Sequence, residues 1–201
     1  MSPYYSQFGE DRFIVESLFP PAKGVFVEFG ADDGVENSNT LHFELEGWTG
    51  LCIEPNPAAM QALRTVRNCA TEQCAIGSDP TRKFFVNSTR GWSGFDRGGR
   101  LIPVSIRRLE DVLADHCIRH VDLLSIDCEG NELDALQTMD LQIHTPSVII
   151  IEYLTATAGL EIFQHLAGAP GEEQITDFLT ANGYASVRRT VGNLIFQRIA
   201  D

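Results

Sequence analysis

Glu28, Glu54, Asp127 and Glu152 each stand at or beside the C-terminal end of a short apolar run. Such runs read as buried strands, and burial alone gives no reason for an acid at four of their ends. A carboxylate there sits on a crevice rim and can face a ligand. Glu28-Phe29-Gly30-Ala31-Asp32-Asp33-Gly34 follows the first run. Its glycines let the backbone turn sharply and approach a ligand closely. A dinucleotide site wants G-x-G-x-x-G, but residue 32 is Asp rather than Gly. Two phosphates would meet Glu28, Asp32 and Asp33 at short range, where like charges repel by kcal/mol amounts. A ligand bearing an ammonium and a sulfonium is favoured instead, and S-adenosylmethionine carries both. Glu54 lies twenty-four positions after Gly30. An acid at that distance accepts both hydroxyls of a free ribose, which suits NAD and S-adenosylmethionine alike.

These residues need a scaffold of strands and helices. Val25–Phe29 reads as the first strand, 37–46 as a helix capped by Asn37 or Ser38 and stopped at Gly47, and 50–53 as the second strand. Asn56-Pro57 is an N-cap and first-turn pair, with Met60, Leu63 and Val66 following at helical spacing. A weak third strand covers 70–76, and Phe84, Phe85 and Val86 read as another. A glycine-rich stretch with Trp92 and Phe95 follows, and an extended pattern resumes at 101–106. A helix over 107–117, a strand over 121–126, a helix over 132–139 and a strand over 148–151 come next. Ile175, Phe178 and Leu179 form a helical stripe, and 184–187 with 194–199 read as a terminal antiparallel pair. Strand–helix alternation of this kind predicts an α/β fold with one doubly wound, mostly parallel sheet. The whole of 1–201 is expected to be a single domain. Residues 1–24 would close the site, and 87–100 and 154–170 are candidate lid insertions whose glycines suit gating.

Composition narrows the partners. Twenty-eight acidic residues against fifteen basic ones give a net charge of −13, which repels nucleic-acid phosphates and anionic membranes. No apolar run approaches the roughly 18–20 residues a membrane helix needs, and the N-terminus has no signal-peptide core. The five cysteines are odd in number and form no CxxC pair, so free thiols in a reducing cytosol are expected. The five histidines are scattered and fall in no motif.

Four ordered blocks carry a family resemblance. They are Tyr5-Ser6-Gln7-Phe8-Gly9-Glu10-Asp11-Arg12; Val27 to Gly34 with Ser38-Asn39-Thr40; Cys52-Ile53-Glu54-Pro55-Asn56-Pro57; and Asp122 to Glu132. Together they resemble the FkbM-type methyltransferases over about residues 4–153. The resemblance implies a class I Rossmann-like methyltransferase fold with a seven-stranded sheet, and S-adenosylmethionine as methyl donor. It also implies that Glu28, Gly30, Ala31, Asp32 and Gly34 surround the methionine end, with Asn39 and Thr40 supporting that loop or touching the same moiety. Glu54 would hold the ribose, with Pro55 beside the adenine and Ala75-Ile76-Gly77 contacting it. Gln7 would close the site, and Ser93 aligns loosely with a serine common in relatives. Ser125 departs from the family, where a lysine is common.

Methyl transfer from a sulfonium is an in-line displacement, so the protein chiefly positions the nucleophile and removes water. A hydroxyl acceptor also benefits from a base. Asp127 is the first candidate, with Glu129 and Glu152 next. Asp127 could instead bind the donor, or hold Mg²⁺ with Glu129 and Glu152; no dense acidic motif forces a metal, and none is assigned. The expected activity is O-methylation of a hydroxyl on a small molecule such as a sugar or secondary metabolite, in the cytoplasm, with a homodimer left open. The alternatives are an NAD-type oxidoreductase and a non-catalytic donor-binding module.

Overall fold

The computed structural model describes residues 3–18, 20–86, 94–95, 100–153 and 171–199. The candidate lid 154–170, most of 87–100, and with them Trp92 and Ser93, lie outside the described residues. The elements in chain order begin with α1 (Glu10–Phe13), which continues into a π-helical turn over Ile14–Leu18. Then follow β1 (Val25–Phe29), α2 (Leu41–Leu45), β2 (Thr49–Ile53), α3 (Pro57–Val66), β3 (Ala70–Glu72), β4 (Ala75–Ile76), β5 (Phe84–Val86) and β6 (Gly94–Phe95). The chain goes on through β7 (Arg100–Leu101), β8 (Ile106–Arg107), α4 (Leu109–Asp115), β9 (Leu123–Ile126) and α5 (Glu132–Leu136). It ends with β10 (Val148–Glu152), α6 (Glu172–Ala181), β11 (Tyr184–Arg189) and β12 (Asn193–Arg198).

Seven strands form the main sheet in the order β11-β12-β10-β9-β1-β2-β3. β12 runs antiparallel to both its neighbours, and the other pairings are parallel. Period-2 alternation sends side chains to both faces, and both faces are covered, which is why the strands are nearly all apolar. Val27, Phe29, Leu51, Ile53, Leu124 and Ile126 pack with α4, α5 and α6 through Leu109, Val112, Leu136, Ile175 and Leu179. Phe26, Cys52, Leu123 and Ile150 pack on the opposite face with Phe43, Trp48, Met60, Leu63 and Ile14. The chain leaves β1 toward β2 on one side and returns to β9 on the other. The crevice of such a sheet opens at that reversal, beyond the carboxyl ends of the strands.

Four elements depart most from the sequence reading. The helix predicted over 37–46 begins only at Leu41, because the backbone of residues 38–40 turns inward toward Glu28. The strand predicted over 70–76 breaks in two: β3 pairs with β2, while β4 leaves the main sheet and pairs with β8. The extended pattern over 101–106 is interrupted between β7 and β8. The helix predicted over 132–139 stops at Leu136, where the Thr138 hydroxyl donates back to the Ala135 carbonyl and accepts from the Leu109 amide. The Asn56-Pro57 start holds, with the Asn56 side chain accepting from the Ala58 amide at 3.0 Å.

Candidate donor site and carboxylate cluster

At the switch point, the loop after β1 runs directly against the end of β9. Gly30 has φ +79°, and a Cβ there would lie 1.4 Å from the Asp127 carbonyl oxygen. Only glycine permits both the left-handed turn and this approach. The Gly30 and Ala31 amides donate to the Ile53 carbonyl, and the Asp127 amide donates to Phe29, so three strand ends meet at one point. A crevice of about 350 Å³ opens over them, within the size range of small-ligand sites. Asp32, Asn37 and Glu129 on its wall are non-glycine residues at positive φ. Such backbone strain concentrates at functional sites because the surroundings must enforce it.

The β1–β2 side of the crevice is held by hydrogen bonds. Glu28 is buried in mid-sheet between Cys52 and Ser125. It accepts from the Ser38 and Thr40 hydroxyls at 3.0 and 2.7 Å and from the Asn39 amide at 2.9 Å. Arg67, itself buried, donates to Glu28 at 3.2 Å, to Glu44, to the Gly34 carbonyl and to Thr40. Enclosure alone would raise the Glu44 carboxyl. The Arg67 guanidinium, the Asn68 amide and the Cys69 thiol reverse this, and its pKa is lowered. Glu54 accepts from the Asp32 amide at 3.0 Å and the Asn56 amide at 2.7 Å. It is pushed up to about 7, first by enclosure and then by Asp32 and Asp127, with the two amides opposing. Its carboxylate retains lone pairs for a further donor.

Asn39 joins the two sides. Its amide nitrogen donates to the Ser125 hydroxyl at 3.0 Å, and its Oδ1 is a buried acceptor with no partner. A buried unpaired acceptor on a crevice wall fits a ligand that brings a hydrogen-bond donor.

The β9–β10 side is different. Asp127, Glu129 and Glu152 each place a carboxylate oxygen within 4.8 Å of the others, a hard-oxygen set of the kind that fits Mg²⁺. Asp127 is exposed toward the crevice, and its carboxyl is pushed up to about 7. Enclosure is the main cause, followed by Glu132, with a Glu152 hydrogen bond opposing and Glu28 and Asp32 adding. Glu152 is raised well above its ordinary value by enclosure and then by Asp127, Glu132 and Glu129, and its Oε2 has no hydrogen-bond partner. Glu132 is raised by enclosure despite the Gly130 and Cys128 amides.

Gln7, Glu28, Gly30, Ala31, Asp32 and Asn39 all line this crevice, as do Glu54 with Pro55, Ala75 with Ile76, and Asp127, Glu129 and Glu152. Gln7 reaches it because Ser6 bridges to Asn37 and Glu10 anchors the N-terminal segment to Thr190 and Asn193. Gly34, Thr40 and Gly77 are not among the residues that line it. Gly34 packs on Arg67, Thr40 is engaged with Glu28 and Arg67, and Gly77 faces Asp134 and Asn131. Glu28 lines the wall, but its oxygens serve the loop. The sequence reading omits Asn37, Ser38, Phe84 and Cys128 from the wall, and it omits Arg67. The helix-cap signal at Asn37 and Ser38, and the family blocks that contain Ser38 and Cys128, were the available pointers.

The sheet order and its antiparallel end define a class I Rossmann-like methyltransferase fold. A methyltransferase from Archaeoglobus fulgidus, described as dependent on S-adenosylmethionine, is similar with a TM-score of 0.52 and 10% identity, covering 94% of this chain and 92% of that one. The carbon methyltransferase CurJ is similar with a TM-score of 0.51 and 12% identity, covering 94% of this chain and 53% of that one. At such low identity these likenesses speak for the fold. Among curated proteins, none matches. The model of the methyltransferase FkbM domain matches residues 28–185, and the chain belongs to that family. It is an S-adenosylmethionine-dependent methyltransferase. Among the described residues no helix is long and apolar enough to cross a membrane.

Proposed function

We propose that this enzyme methylates a hydroxyl on a small, non-anionic molecule such as a sugar or secondary metabolite, with Asp127 taking the hydroxyl proton. The observation that carries this reading is Asp127 itself. Its carboxyl ends β9 beside Gly30, faces the crevice, and titrates near 7, where a general base works best at neutral pH. When bound, the donor supplies an electrophilic methyl on a sulfonium. Glu54 would accept from its ribose hydroxyls, Asn39 Oδ1 would accept from its ammonium, and Pro55, Ala75 and Ile76 would flank its adenine. Asp127, Glu129 and Glu152 would face the reacting end, and the cationic donor would offset their mutual repulsion. This reading needs no metal, although the same three carboxylates would be the ligands of any Mg²⁺.

Charge supports the acceptor class. Seven acids line the crevice, and no lysine, arginine or histidine does so among the described residues. A phosphorylated or carboxylated acceptor would meet repulsion there, whereas a hydroxyl finds proton acceptors. Transfer of labelled methyl to a panel of neutral polyols, amines and phosphorylated sugars tests this. The expected product is an ether of a neutral hydroxyl. Asp127→Asn should lower turnover by roughly 10²–10⁴-fold, the usual contribution of a general base, while still binding S-adenosylhomocysteine. Unchanged turnover in that variant would remove Asp127 from the mechanism. Donor binding with no transfer to any acceptor would favour a binding module.

A further inference from the structure

Two cysteines sit beside the Glu28–Arg67–Glu44 network, and neither lines the crevice. Cys52, in the buried half of β2, has no exposed surface, while Cys69, just before β3, is partly exposed. Their sulfurs are 3.5 Å apart, and the Cys52 sulfur also lies 3.9 Å from Glu28 Oε2. That oxygen is the one that holds Thr40 and Arg67. Cys69 has a second tie to the same network, since its amide and that of Asn68 donate to Glu44.

We propose that Cys52 and Cys69 are a redox modification site, closing to a disulfide under peroxide and loosening the donor site through Glu28. The partly exposed Cys69 thiol reacts first: it takes one oxygen from the peroxide, giving a sulfenic acid and releasing water or an alcohol. Cys52 then loses its proton toward Glu28 Oε2 and attacks the Cys69 sulfur. The S–S bond forms, the S–O bond breaks, and the hydroxide leaves with a proton as a second water. The two thiols are oxidised by two electrons and the peroxide is reduced by two. A disulfide holds its sulfurs about 2.05 Å apart, so the two sulfurs must close from 3.5 Å and Cys52 loses the proton it donates to Glu28. That movement acts on the strand carrying Glu54 two residues later, and on the carboxylate that fixes residues 38–40. Reciprocity then requires a bound donor to shift the thiol–disulfide equilibrium toward the thiols.

The test is a peptide map of the whole chain after hydrogen peroxide treatment, made without reduction, with S-adenosylhomocysteine affinity measured in parallel by calorimetry. The expected map shows a Cys52–Cys69 cross-linked peptide. Affinity should fall by about tenfold, a usual size for coupled sites, and recover with dithiothreitol. Cys69→Ser should bind the ligand like the reduced parent and lose the response to peroxide. Cys69 passing to sulfinic acid with Cys52 still a thiol would overturn the site. So would an affinity loss that persists in Cys69→Ser, because the crevice-lining Cys128 or Cys74 would then be responsible. A cross-link that leaves affinity unchanged would overturn the coupling. The coupling rests on the donor-site reading, but the cross-link does not: absence of any ligand binding in the reduced parent would sink that reading and leave the map to decide the disulfide.

Discussion

Glu28 and Glu44 on one side of the switch point, and Asp127 and Glu152 on the other, are two pairs of carboxylates, and of the four only Asp127 is exposed. Their partners differ. The first pair shares Arg67 and a ring of hydroxyl and amide donors, so the negative charges are compensated inside the fold by one cation and several hydrogen bonds. The second pair faces Glu129 and Glu132, and enclosure adds to the repulsion. The contrast separates acids that hold the loop from acids left ready to receive a proton or a cation. Glu54 lies between the two cases. Two amides hold it, yet its proton affinity stays high.

The strongest way to break the contrast is to remove the cation from the compensated side. Arg67→Ala leaves Glu28 and Glu44 buried without their counter-charge. Removing one partner of a buried ion pair costs roughly 3–5 kcal/mol. The urea midpoint should fall accordingly, and Arg67→Lys should recover only part of the loss, because a point charge cannot donate along the guanidinium's several directions. A loss near that of an ordinary surface substitution would mean that hydroxyls and amides alone sustain Glu28.

A smaller effect is expected at Glu54. Glu54→Gln keeps the side chain's shape and one acceptor for the Asp32 or Asn56 amide, but removes the charge offered to a ribose. Hydrogen bonds to charged groups are worth about 1.5–3 kcal/mol, so S-adenosylhomocysteine affinity should fall by roughly 10–100-fold. Calorimetry reads this directly. Unchanged affinity would place the ribose elsewhere and leave Glu54 as a clasp between β1 and β2.

The positions of these acids were largely visible in the sequence, while their states were not. Glu28, Glu54, Asp127 and Glu152 stand out because apolar runs of strand length end beside them, and strand order then brings those ends together. Gly30 was legible as a turn, but its contact with Asp127 belongs to a pairing nearly a hundred residues apart. Arg67 was not legible at all. It looks like a helix-end arginine, and its partner Glu28 lies 39 positions earlier on another element. Local patterning also misread 70–76, because whether Ala75 and Ile76 continue the main sheet depends on their pairing with Ile106 and Arg107. That departure from the sheet carries Ala75 and Ile76 to the crevice wall.

The mildest test sharpens the uncompensated side. Protonated Asp127 offers nothing to a sulfonium, whereas the ionised form attracts it. The carboxyl titrates near 7, so the ionised fraction rises between pH 6 and pH 8, and affinity for the cationic donor must rise with it. S-adenosylhomocysteine has the same nucleoside, ammonium and carboxylate without the sulfonium charge. The ratio of the two affinities therefore isolates the sulfonium. It should rise by up to about tenfold in favour of S-adenosylmethionine from pH 6 to pH 8, and it should flatten in Asp127→Asn. A ratio flat with pH in the parent would mean that the sulfonium does not sit against Asp127. The cluster beside Glu152 would then have to find its compensating cation in the acceptor.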